Sequence, residues 1–286
     1  MRISVGIVAA VLGLAVQGAF AISNDFSSNP LTDSSNIIQG PDAANVGNRF
    51  TYNVDDQTLT AHYDTAAPTI KLLFPLGQTY TQNTSFQLTA TFEISANNFV
   101  IPSSFGGQVP SFGLVNSVTT GDQRASSYDQ DFNEIPGTAY DIMTFDYFPT
   151  QDNTWDGNSI NLTTIQTDTG LGFNKSFGNT VTNYANTSLP FDTFITVTLT
   201  YDADTMLATL DWGSGTTIVA DLTGDVFSVD SFAITLWNDP GIEGWGDDPT
   251  SGDIVFKSFS VTSVPEPASL GLLAAGALLM ATRRRR

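Results

Sequence analysis

The chain has 286 residues, no cysteine, and 29 acidic against 10 basic side chains, a net charge of −19 at pH 7. Thiol catalysis, Cys-ligated zinc and iron–sulfur chemistry are excluded by composition, and so acidic a surface repels the phosphates of nucleic acids. A 41% hydrophobic content over this length lets one domain be held together by burial, without disulfides.

The first 21 residues read as a secretory signal. Arg2 supplies the single positive charge, Val5 to Val16 are uncharged and apolar, and Ala19-Phe20-Ala21 is the small-residue site that a signal peptidase accepts. The apolar stretch is shorter than the roughly 20 residues a bilayer requires. A short helix removed after Ala21 is therefore predicted, followed by a body over residues 22–262.

Between the two terminal segments the basic residues are Arg49, Lys71, Arg124, Lys175 and Lys257, and 28 acids face them, leaving −23. Aspartate outnumbers glutamate by 25 to 4. Asp bonds nearby backbone N–H groups in turns and caps, whereas Glu favours helices, so the ratio predicts many turns and little helix.

The periodicity agrees. Alternating runs appear at 49–54, 58–63, 85–95, 140–148, 159–167, 193–201, 206–212, 231–238 and 253–262. The clearest is "TFITVTLTY" (193–201), with Ile195, Val197, Leu199 and Tyr201 on one face and Thr196, Thr198 and Thr200 on the other. Asp202-Ala203-Asp204 then predicts a turn into "MLATLDW" (206–212), completing a hairpin. No segment of the body shows a 3.6-residue apolar stripe. Many short strands separated by Gly, Asn, Asp and Ser predict an all-β fold, a two-sheet jelly-roll sandwich.

"NDFSSNPL" (24–31), "FTYNVDDQTLTAHYDT" (50–65) and "FDYFPT" (145–150) resemble the concanavalin-A-like sandwich of exported bacterial proteins. "YDIMTFDYF" (140–148) is similar to the metal-binding strand of legume lectins. Asp146 matches an acid of that strand, but Thr144 stands where the lectins have another acid and no histidine follows. The resemblance implies the fold and does not carry the two-metal lectin site over.

Catalytic chemistry finds little support. His62 is the only histidine, there is no G-x-S-x-G turn, and His62 reads as a packing or surface residue on its strand. Glycosidases on such sandwiches need paired carboxylates. Glu93, Glu134 and Glu243 are scattered, and the strand that would carry the pair offers Asp146 alone. The body is expected to be non-enzymatic, with no required cofactor; a glycoside hydrolase or lyase is the alternative.

Two acidic loops could hold Ca²⁺, which takes six to eight oxygen ligands. One carries Asp239, Glu243, Asp247, Asp248 and Asp253; the other carries Asp146, Asp152, Asn153 and Asp156. Neither has the EF-hand spacing, and solvated turn aspartates are the competing reading. For sugar binding the candidates are Trp155 and Trp245 in these loops and Trp237 at a strand end, because a sugar packs its apolar face on an aromatic ring beside amide and carboxylate groups. A place in the sandwich core competes for Trp212 and Trp237.

The end of the chain is a separate segment. Val264-Pro265-Glu266-Pro267 stops the last strand, since each proline lacks an N–H and restricts its predecessor. The uncharged stretch from Ala268 to Thr282 would make a helix roughly 22 Å long, short of a ~30 Å hydrocarbon core. Arg283, Arg284, Arg285 and Arg286 follow and favour the cytoplasmic side.

Pro-Glu-Pro, a short apolar helix and a basic cluster at residues 263–286 resemble the PEP-CTERM sorting signal of Gram-negative bacteria, a motif also noted at the C-terminus of ice-binding proteins. That resemblance implies recognition of Pro265, Glu266 and Pro267 by an exosortase and orientation by the four arginines. It also implies a transient stay in the inner membrane through the C-terminal segment alone, then delivery to the cell surface, outer membrane or extracellular matrix. There the protein would serve as a matrix component, a weak binder of extracellular polysaccharide, or a purely structural surface protein. The body shows no Thr-x-Thr ladder repeated at fixed spacing, the sequence mark of an ice-binding plane.

Overall fold

A computed structural model describes residues 21–97, 110–122, 141–148, 159–165, 189–213, 217–238 and 250–264. Within them the fold is two antiparallel sheets, as the alternation predicted. The larger sheet runs in the order β12 (Thr217–Asp221), β11 (Leu207–Asp211), β10 (Ile195–Asp202), β6 (Phe86–Ile94), β14 (Ser251–Ser263), β4 (Thr58–Asp64) and β3 (Phe50–Asn53), with β1 (Ala21–Asn24) on β14 as an eighth strand. The smaller has the order β2 (Ile37–Gln39), β5 (Ile70–Thr81), β13 (Ser228–Leu236), β7 (Ser111–Val115), β8 (Ile142–Phe148) and β9 (Ser159–Ile165). One compact unit spans Ala21–Val264. The predicted signal and C-terminal helices lie outside the described residues.

Alternation decides which side chains enter the core. On β10, Val197, Leu199 and Tyr201 are buried while the threonines between them are not. On β6, Phe86, Leu88, Ala90, Phe92 and Ile94 are buried and the intervening residues are not. The core is rich in aromatic contacts: Phe232 stacks on Phe259 with centroids 4.0 Å apart, and Phe92 meets Phe112 edge-on at 4.7 Å. These geometries suit ring quadrupoles as well as packing density.

Five strands, β1, β2, β5, β7 and β12, escaped the sequence reading; β1 and β2 are only four and three residues long. β5 reads "IKLLFPLGQTYT", and its first five residues are all buried because the smaller sheet is covered on both faces there. Leu73, Val115, Ile142, Ala233 and Trp237 form a second apolar layer outside the main core. β7 contains Gly113, and β12 is only five residues long.

The outer face of the larger sheet gains an order that the linear sequence does not display. Register places Thr196 beside Thr91, and Thr91 beside Ser258. Next along the strands, Thr198 lies beside Thr89, and Thr89 beside Ser260. A third row joins Thr200, Gln87 and Thr262. Thr91 Oγ1 and Thr196 Oγ1 are 3.0 Å apart, and Gln87 Nε2 donates to Thr200 Oγ1 at 3.3 Å. No fixed period exists along the chain, yet the fold assembles rows of hydroxyls across strands.

Candidate functional site

The residues singled out from sequence separate into three groups. Trp155, Trp245, Asp152, Asn153, Asp156, Asp239, Glu243, Asp247, Asp248, Ala19, Pro265, Glu266, Pro267 and Arg283 to Arg286 lie outside the described residues. Ala21 opens β1 and pairs with Thr262. Trp237, Asp146, Asp253 and His62 are described, and each has a definite place.

Trp237 does not offer a sugar platform: its indole is 1% exposed, and its Nε1–H donates to Ser111 Oγ in the layer outside the smaller sheet. Trp212 is likewise buried. Of the two readings the sequence left open for Trp237, the place in an apolar layer is the one observed, beside Leu73, Val115, Ile142 and Ala233. Asp146 is buried on β8 and accepts a hydrogen bond from Thr144 Oγ1 at 3.2 Å.

The same face holds a buried cation. Lys71 is 1% exposed, and its Nζ donates to Thr120 O at 3.0 Å, Gly121 O at 2.8 Å and Asp122 Oδ1 at 3.1 Å. All three donors are used, so Lys71 ties the 116–122 segment to the sheet and leaves no proton free for chemistry. Burial lowers its pKa, opposed by Asp122. Its folded pKa lies below the unfolded one, so this group makes stability rise with pH through the alkaline range up to the unfolded value. Lys71→Met is expected to remove that rise and, by leaving two carbonyls unpaired, to cost about 1–3 kcal/mol. Urea unfolding at several pH values, with hydrogen exchange over residues 116–122, checks both effects.

The outer face of the larger sheet carries the polar constellation. His62 Nδ1 is 2.7 Å from Asp253 Oδ1, its cross-strand partner, and Nε2 is 2.7 Å from Thr51 Oγ1 on β3. Sequence reasoning sought a serine on a turn and so missed this hydroxyl–imidazole–carboxylate line, which sheet register alone creates. Thr51 is a mid-strand residue, whereas a hydrolase nucleophile sits on a sharp turn where oxyanion donors converge. The arrangement latches β3, β4 and β14 together.

Asp253 is therefore engaged by His62, and among the described residues no group of three or more His, Asp or Glu side chains could hold a metal ion. Of the acids in the predicted calcium loop at 239–253, only Asp253 lies among the described residues.

Beside this latch lies a groove of about 380 Å³, lined by Asn53, Asp56, Thr58, Thr60, Glu93, Phe194, Val255 and Lys257. Phe194 is 40% exposed, and Lys257 Nζ stands 5.3 Å from its ring centroid, a cation–π distance. Lys257 reaches it because β14 shifts register between Phe256 and Ser258, leaving Lys257 unpaired with β6. Asn53 Nδ2 donates to Asp56 Oδ2 at 2.6 Å. Burial, and then the nearby Asp192, raise the Glu93 carboxyl above the usual range. An open aromatic ring flanked by amide, carboxylate, hydroxyl and ammonium groups can hold a small polar ligand with one apolar face.

Comparison with known proteins finds similar solved structures and a family match in the tail. A basic winged bean lectin with Tn-antigen aligns at 15% identity and a TM-score of 0.46, covering 86% of this chain and 99% of the lectin. The metal-free lectin I-B4 of Griffonia simplicifolia aligns at 13% identity and 0.45, covering 85% and 99%. The Emp47p carbohydrate recognition domain does so at 11% and 0.45, covering 85% and 95%. No curated protein matches the chain in sequence. Among the described residues no helix is long and apolar enough to cross a membrane. Residues 263–286 match the PEP-CTERM protein-sorting motif. Beginning at Ser263, where β14 ends, the chain carries an exosortase-type sorting signal.

Proposed function

We propose that the protein is exported, trimmed at both ends and released to the cell surface or extracellular matrix, where its β-sandwich acts as a non-enzymatic component that binds a neutral glycan. The sorting motif directly after the last strand carries the first part. The groove around Phe194 supports the second, since its ring gives an apolar platform and Asn53, Asp56 and Glu93 give hydrogen-bonding groups at the rim.

Intact mass of the protein recovered from the surface or medium tests the sorting reading. Loss of residues 1–21 and of the C-terminal segment is expected; recovery of the full-length chain from the surface would contradict it. Phe194→Ala tests the groove. Loss of the ring is expected to weaken sugar binding at least tenfold, about 1.4 kcal/mol, without a change in thermal stability, because the ring is half open to solvent.

One observation favours a hydrolase as the second reading: Glu93, with its raised pKa, and Asp56 line the same groove. Release of reducing ends that Glu93→Gln abolishes would establish it, and binding without turnover would dismiss it.

A further inference from the structure

The hydroxyl rows begin where the groove ends. Val255 and Glu93, which line the groove, are cross-strand partners, and the next pair along the same two strands on this face is Ser258 and Thr91. From there the three rows cross β14, β6 and β10. All nine positions are Ser, Thr or Gln, and none is charged. That is notable on a body with five bases and 28 acids, because an exposed sheet face is where this chain could have placed charge for solubility.

We infer that this face binds the length of an extended, neutral polysaccharide whose end or one unit sits in the groove. The inference rests on the groove reading above. Neighbouring strands are about 4.8 Å apart, close to the advance of one sugar unit along an extended chain. Successive units can therefore meet hydroxyls at the same height on successive strands. Each hydroxyl can donate one hydrogen bond and accept two, which suits the mixed donors and acceptors of a sugar edge, while threonine methyls supply apolar contact. The body's negative field selects against acidic polysaccharides. The rows turn with the sheet by roughly 20–25° per strand. A single glycan chain can follow that twist, but the flat surface of an ice crystal cannot.

The test uses the full-length chain in mild detergent with cello-, laminari-, xylo- and chito-oligosaccharides of two and six units, read by calorimetry. With at least one series, the six-unit chain is expected to bind tenfold or more tightly than the two-unit chain. Thr89→Lys, in the middle row and away from the groove, is expected to bring the long chain down to the affinity of the short one and leave the short one unaffected. Its thermal midpoint serves as the control for folding. Equal affinity for both lengths, or indifference of long-chain binding to Thr89→Lys, overturns the array and leaves the groove reading standing. Failure of every sugar overturns both. Thermal hysteresis without sugar retention would assign the face to ice and overturn the inference as well.

Discussion

Gly113→Ala is expected to cost at least about 3 kcal/mol, read as a drop in the urea midpoint or as failure to accumulate folded protein. Gly113 sits in the middle of β7 with φ +152°. A Cβ there would lie 2.6 Å from Met143 O and 2.7 Å from Thr144 Cα. Both atoms are backbone of β8, the hydrogen-bonded neighbour in which Thr144 pairs with Gly113. No rotamer change relieves such a contact, so the two strands must part. Separating them would disturb Phe112 and Phe145, whose rings pack 5.3 Å apart in the core. Gly213→Ala provides the comparison. Gly213 also has positive φ, at +78°, but a Cβ added there would meet no atom of the described residues within 4 Å. Only the conformational cost of about 1 kcal/mol applies there. Equal losses at the two positions would show that the close approach of β7 and β8 is unimportant.

Alkaline unfolding is expected as one cooperative step beginning above about pH 10, the ordinary tyrosine value. Burial raises the phenol pKa of Tyr63 and Tyr147 far above that value, with the charge of Asp253 adding to the effect at Tyr63 and Tyr63 itself adding at Tyr147. The two rings are in contact, with centroids 6.4 Å apart, so ionising either one places charge beside the other. Tyr201 is pushed up to about 12 by burial, with Asp202 and Asp225 contributing.

Each of these folded pKa values exceeds its unfolded counterpart, so the three groups stabilise the fold fully below pH 10, and that stabilisation is lost as pH rises beyond it. Lys71 acts in the opposite sense, adding stability as pH climbs toward its own unfolded value, so the decline starts only once the tyrosines dominate. Tyrosinate absorbance should therefore rise together with loss of the near-ultraviolet circular dichroism of the core. Tyr63→Phe should move the transition to higher pH. The Tyr63 hydroxyl is buried without a hydrogen-bond partner among the described residues, so its removal should not harm the protein at neutral pH. Gradual ionisation of every tyrosine with the dichroism intact would refute the account.

Six of the eight strands of the larger sheet were legible in sequence because one of its faces meets solvent. Each of β3, β4, β6, β10, β11 and β14 alternates, and the Asp202–Asp204 turn joins β10 to β11 with Asp202 opposite Leu207. In the smaller sheet β8, β9 and β13 were read from their runs, whereas β5 is buried on both sides over its first five residues and loses the two-residue period there. The site was less legible still. Phe194, Glu93, Lys257 and Asp56 come from four separate stretches, and only register with a shift in β14 brings them to one groove. Tryptophans drew attention as sugar platforms; Trp155 and Trp245 lie outside the described residues, and among those described the open aromatic ring is Phe194, just before β10. The hydroxyl rows follow the same rule: a pattern with no period along the chain becomes regular once three strands lie side by side.

The pairing of β1 with β14 sets Ala21 opposite Thr262, while Val264 N–H donates to Ser85 O at 2.9 Å. Cross-strand partners lie only about 5 Å apart. The body is thus nearly a closed ring, with its entry and exit side by side. Cutting at either end leaves the same corner of the sandwich, so maturation would leave a single scar and every other rim untouched.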